Sequence, residues 1–295
     1  MIRPAVALAA TTLLATGTTL AATTLLATGT TLAATAFLAT EAALAATTDE
    51  PKTIETRPDQ IEVWSPAIPN TLTPEEQAAG WRLLFDGRSG AGWRAADSET
   101  FPAEGWAIED GVLSIREAGM LEFRAGGDLF SRERFGDFVL DFEFTVAPGG
   151  NSGIKYRAEA QRALGYVYAL GCEFQILDDA GHPDADRGRP GTRRLAGLYD
   201  LLAPSEAPFR GIGVWNHGRI HLEQGRLSHY LNGTRVVDVQ IDSPQWRETV
   251  AGSKFADQQG FCASPRGHLA LQDHGDLTRY RNVRIRLLEP APGDS

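Results

Sequence analysis

The chain has 295 residues, a formal net charge of −10 and a sequence pI near 5.1. Phosphate binding needs a concentrated basic face, so this balance argues against nucleic acid as a partner and is compatible with neutral sugars. With 42% hydrophobic and 22% charged residues, the composition is that of a water-exposed protein with a real core.

Residues 4–40 carry no charge, and Arg3 is the only cation before them. Such a run is long enough for a membrane span. It is, however, rich in Ala and Thr and closes on Ala43-Leu44-Ala45-Ala46, a small-x-small cleavage pattern. The expectation is a signal peptide over residues 1–45, with an uncleaved anchor as the alternative. The unusual length has a visible cause, since TTLLATGTTLAA at 11–22 recurs at 23–34. An exported protein follows, periplasmic or secreted, with no stable membrane span once matured. Its two cysteines, Cys172 and Cys262, can pair in that setting or remain buried thiols, and sequence does not choose.

Residues 46–71 hold Pro51, Pro58, Pro66 and Pro69 and read as an extended linker. A domain over 72–290 opens with Thr73 as N-cap, Pro74 at the first helical position and Glu76 closing a capping box. Beyond Trp81 short apolar or alternating runs predict strands at 81–85, 106–108, 112–116, 138–146, 153–158 and 171–178. Three more, Arg219–Glu223, Arg226–Leu231 and Thr234–Ile241, are joined by Gln224-Gly225 and Asn232-Gly233, and Asn-Gly is a strong hairpin signal. Gly267–Gln272 and Thr278–Leu288 complete the set. The fold class is therefore all-β, an antiparallel sandwich or barrel with a short N-terminal helix.

The strands at 153–158 and 171–178 are unusual in their polar positions. Lys155 and Arg157 share one face of a regular strand, as do Glu173 and Gln175. If the two strands are neighbours, one face collects two cations, a carboxylate and an amide. After them residues 178–197 form a long loop carrying Asp178, His182 and Asp184, followed by four arginines. This loop offers Asp178, His182 and Asp184 as ligands for a divalent metal ion, the one cofactor the residues leave open. Simple turn chemistry is the other reading.

Several motifs together resemble the 3-keto-disaccharide hydrolase family, whose members share a concanavalin A-like jelly-roll sandwich. They include Leu84-Phe85-Asp86-Gly87, Asn151-Ser152-Gly153-Ile154, Glu173-Phe174-Gln175, Gly197-Leu198-Tyr199-Asp200, Gly252-Ser253-Lys254-Phe255 and Gln272-Asp273-His274-Gly275. Each is weak alone, but their order over residues 72–290 is specific. The resemblance implies a carbohydrate substrate already oxidised to a ketone at C3. The C2 proton is then acidic, and elimination followed by hydration cleaves the glycosidic bond. Such chemistry needs a base, a cation on the enolate oxygen and an acid for the leaving oxygen. Glu173 is the expected base, Lys155 and Arg157 the cations, and His274 the acid. Asn151, Gln175, Tyr199 and Trp215 are expected to bind the sugar. A lectin-like binding module and a conventional two-carboxylate glycosidase using Glu173 and Asp178 are the alternatives.

Overall fold

A computed structural model describes residues 59–117, 126–163, 165–206 and 208–288, so the expected signal peptide lies outside the described residues. The expected sandwich of two antiparallel sheets is present. The strands are β1 (Trp81–Leu83), β2 (Trp93–Ala95), β3 (Trp106–Glu109), β4 (Val112–Ile115), β5 (Leu129–Phe135), β6 (Phe138–Val146) and β7 (Asn151–Ala163). They continue with β8 (Tyr166–Leu177), β9 (Asn216–Glu223), β10 (Arg226–Leu231), β11 (Thr234–Gln240), β12 (Gly267–Leu271) and β13 (Thr278–Leu287). The larger sheet runs β11-β10-β9-β6-β13-β4-β3, with β1 also paired to β13, and the smaller runs β2-β5-β12-β7-β8.

Alternation explains the core between them. Phe138, Leu140, Phe142 and Phe144 project from β6, and Ile154, Tyr156, Cys172, Phe174 and Ile176 from β7 and β8, all but fully buried. Tyr156 donates its hydroxyl proton to His229 Nε2 at 2.8 Å, and His229 Nδ1 meets the Ala196 carbonyl at 3.1 Å. Burial pushes the His229 pKa down to about 4, so the ring is neutral.

The hairpins follow their turn residues. Asn232 and Gly233 have φ of 48° and 90°, the left-handed pair that a two-residue turn with the right twist requires. The capping box on α1 (Pro74–Ala78) forms as expected. Sequence patterning passed over β2, β5 and the helix α2 (Pro244–Ala251), which Ser243 caps.

Residues 59–71, expected as a linker, lie against the domain instead. Ile61 N donates to Gly233 O at 2.8 Å, and Asn70 exchanges hydrogen bonds with Asn282. Trp64 lies 3.7 Å from the Arg284 guanidinium carbon, on the outer side of the larger sheet. There Arg284 and Arg219 both bond Asp141, which is completely buried.

Candidate active site

The β7 and β8 strands are neighbours, and their register sets Lys155 directly opposite Glu173. Both face a cavity of about 590 Å³ on the outer side of the smaller sheet. Asp128, Tyr199, Lys254, Gln272, Asp273 and His274 also line it, together with the hairpin residues from Gly165 to Gly171.

Glu173 is 5% exposed. Burial raises its pKa, and the charges of Lys155 and Lys254 only partly oppose this. Gly153, its diagonal neighbour, leaves room for it: a Cβ there would lie 2.9 Å from Glu173 Cδ. Lys155 Nζ donates to Asp128 Oδ2 at 3.3 Å. Burial works against its charge, yet the carboxylates of Asp128 and Glu173 prevail and hold its pKa above the ordinary value. Asp128 is itself fixed by the Ala169 and Asp273 amides.

A second wall comes from the loop after β8. Residues 196–199 run along that strand, with Ala196 N donating to Gln175 O and Tyr199 N to Glu173 O. This sets Tyr199 at the cavity, where its hydroxyl donates to Asp184 Oδ2 at 2.7 Å and accepts from Lys254 Nζ at 3.1 Å. Burial, then Glu173 and Asp184, raise the Tyr199 pKa and keep it protonated. Lys254 is exposed overall, but its ammonium stands 4.1 Å from the Tyr199 ring centroid. The third wall follows β12. Burial raises the pKa of Asp273 to about 6, against the opposing bond from Gly275 N.

Of the residues expected at the site, Glu173, Lys155, His274 and Tyr199 line the cavity. Arg157 does not. A bulge between Tyr156 and Glu159 puts Arg157 at φ 49° and breaks the alternation that would have aligned it with Lys155. Its guanidinium instead donates to Ser264 O at 2.7 Å and Ala263 O at 3.3 Å. Gln175 is buried, with Oε1 accepting the Ile176 amide. Asn151, at the start of β7, is buried beside Asp276. Trp215 stacks on Arg281, the partner of Glu143 on the larger sheet, and is absent from the cavity lining.

The expected metal set is not assembled either. Asp178 accepts Gly149 N and Ala180 N, closing the turn after β8. Asp184 is bonded by Tyr199 and Arg193, so its charge already has partners. Nothing in local spacing ties Asp128, Lys254 and Asp273 to Glu173. The motifs Gly252-Ser253-Lys254-Phe255 and Gln272-Asp273-His274-Gly275 were the available signal. A disulfide joins Cys172, next to Glu173, to Cys262 in the segment that carries Lys254.

A curated relative from Bacteroides thetaiotaomicron, named 3-keto-disaccharide hydrolase, is 32% identical over 232 residues, 72% of this chain and 80% of that protein. A crystal structure from Parabacteroides distasonis, ascribed to a glycosyl hydrolase, matches with a TM-score of 0.64 at 25% identity, covering 75% of this chain and all of the other. A second from the same organism shares the fold at TM-score 0.50 and 23% identity, over 70% of this chain and 99% of the other. The two-sheet architecture is thus the jelly-roll sandwich of these neighbours. Residues 80–286 match the model of the 3-keto-alpha-glucoside-1,2-lyase-like domain, and the chain belongs to that family.

Proposed function

We propose that this protein cleaves glycosides whose C3 hydroxyl has been oxidised to a ketone. The observation that carries the reading is Glu173, a buried carboxylate of raised pKa facing two ammonium groups in a cavity of sugar size. A carboxylate whose pKa is raised by burial is a stronger base than an ordinary one, which suits removal of a weakly acidic C–H. The name of the 32% identical relative supports the same substrate class.

In this reading Glu173 takes the C2 proton, and the electron pair moves onto the C3 oxygen as an enolate. Lys155 and Lys254 stabilise that charge from two sides of the cavity. The enolate then expels the C1 oxygen as a C1–C2 double bond forms, and His274 supplies the proton to the leaving sugar. Water adds to C1, a proton returns to C2, and the keto sugar is released. Tyr199, kept protonated, positions Lys254 through the bond between them.

The export expected from the N-terminal sequence belongs to this proposal. It is supported by the Cys172–Cys262 disulfide, which suits an oxidising compartment.

The test is incubation of purified protein with a 3-keto-disaccharide and with its unoxidised parent, following sugar release. Release from the keto substrate alone is expected, with a primary isotope effect when C2 carries deuterium. Equal release from the parent would favour a two-carboxylate glycosidase. Retention of unmodified glycan without cleavage of either sugar would favour a binding module.

A further inference from the structure

We infer that the cavity holds a second subsite around Tyr166 and Tyr168, near the tip of the β7–β8 hairpin, which takes an uncharged, ring-bearing leaving group of the glycoside. The identity of that group rests on the proposed function, whereas its place rests on the shape of the cavity. Glu173, over which the reacting sugar sits in that reading, stands at one end. From β8 the lining takes Tyr166 to Gly171 and then Glu173, and nothing from Phe174 to Leu177. Past Glu173 the strand is bordered by residues 196–199, through the bonds from Ala196 N to Gln175 O and from Gln175 N to Gly197 O. A substrate of more than one ring therefore has one direction to run, along β8 toward the hairpin.

The two ends differ in charge. Lys155, Glu173, Lys254 and His274 gather at the first. At the hairpin end the described lining is Asp97, Gly126, Gly127 and the residues from Gly165 to Leu170, with no lysine or arginine among them. A carboxylate or phosphate on the leaving group finds no cation there and meets Asp97 instead.

The aromatic pair supplies the attraction. Tyr166 and Tyr168 set their ring centroids 5.7 Å apart at an interplanar angle of 45°. Both are half-buried, and neither belongs to the core between the sheets, which does include Tyr156 and Tyr280. Rings that core packing does not use, set in a cavity wall, suit contact with the apolar face of another ring. Five residues of strand separate Tyr168 from Glu173, a span of roughly 16 Å. The tyrosines thus meet what the reacting sugar carries. Gly127 and Gly165, at φ 67° and 88°, leave this end open, since a Cβ on either would meet no atom within 4 Å.

The test is steady-state kinetics on 3-keto-glucosides with methyl, benzyl, glucosyl and glucuronosyl leaving groups. The benzyl and glucosyl compounds separate an aromatic ring from a sugar ring. Both should show kcat/KM about tenfold or more above methyl, carried by KM. Tyr166→Ala and Tyr168→Ala should each cut that ratio by about tenfold, and Tyr168→Phe should keep the benzyl ratio. Arg162→Ala, on the same hairpin but exposed and outside the lining, should not move it. Glucuronosyl should be about fivefold poorer than glucosyl, the scale of one screened charge, and Asp97→Asn should narrow that gap. Melting curves check folding, and Tyr168→Leu repeats the test should Tyr168→Ala unfold. Cleavage with no preference over methyl, or with ratios unmoved in both tyrosine variants, overturns the subsite and leaves the reaction. A preference for glucuronosyl overturns the uncharged class. If no keto-glucoside is cleaved, the proposed reaction falls, and calorimetry with the same compounds decides the subsite. Tighter binding of benzyl and glucosyl than of methyl, lost in Tyr168→Ala, keeps it, and equal binding overturns it.

Discussion

At the scale of single residues, burial decides what each titratable group can do. Glu173 and His229 are both removed from water, with opposite consequences. Desolvation raises the Glu173 carboxyl and lowers the His229 imidazole. Glu173→Gln keeps the size and removes the base, so kcat should fall by about 10²–10⁴ while the melting curve barely moves. Full retention of turnover would remove Glu173 from the mechanism. His229 makes a stability prediction. Its pKa is about 4 in the folded chain and near 6.5 when unfolded, so its contribution is complete above about pH 6.5 and is lost as pH falls toward 4. That contribution reaches roughly 3 kcal/mol. Denaturant titrations should show this slope in the wild type. His229→Gln, which keeps a donor and an acceptor, should flatten it.

Among elements, the bulge in β7 matters most. One extra residue between Tyr156 and Glu159 releases Arg157 from the sheet face and turns it to carbonyls 263 and 264. Lys155 and Glu173, before the bulge, stay in register. Strand period alone therefore places Lys155 and Glu173 on the face the register gives them, but not Arg157. Gly267 shows how close the bulge comes, since a Cβ there would lie 2.3 Å from the Arg157 carbonyl carbon. Arg157→Ala should lower unfolding stability by about 1–3 kcal/mol, because two acceptors lose a charged donor. It should change kcat less than tenfold. A large fall in kcat at unchanged stability would return Arg157 to the chemistry.

Over the whole molecule, one covalent link and two polar layers organise the sandwich. The disulfide spans 90 residues of sequence and ties the strand of Glu173 to the segment of Lys254. Closing so long a loop restricts the unfolded chain, and replacing both cysteines with Ala should cost about 2–5 kcal/mol in denaturant unfolding. Mass spectrometry of alkylated, non-reduced protein should find no free thiol in the wild type. The Asp141 network under Trp64 and Trp81 ties residues before β1 to the larger sheet, so the N-terminal approach to the domain is part of the fold.

Local chemistry was sufficient for much of this. Alternation, Asn232-Gly233 and the Thr73 capping box each act between residues close in sequence, and they determined most of the strands, the hairpin at 232–233 and the opening helix, though not β2 or β5. The polar face of Lys155 and Glu173 was legible for the same reason. What needed the tertiary structure were matters of distance between remote segments. These include the partner of Lys155 at Asp128, the arrival of Lys254 beside Tyr199, the pairing of Cys172 with Cys262, and the meeting of His182 with His274 and Asp276. No short-range pattern encodes them, because side-chain burial and charge pairing depend on which strands become neighbours. The sequence alone determined a β-sandwich with a charged strand pair; sheet order and one bulge decided which of those charges face the cavity.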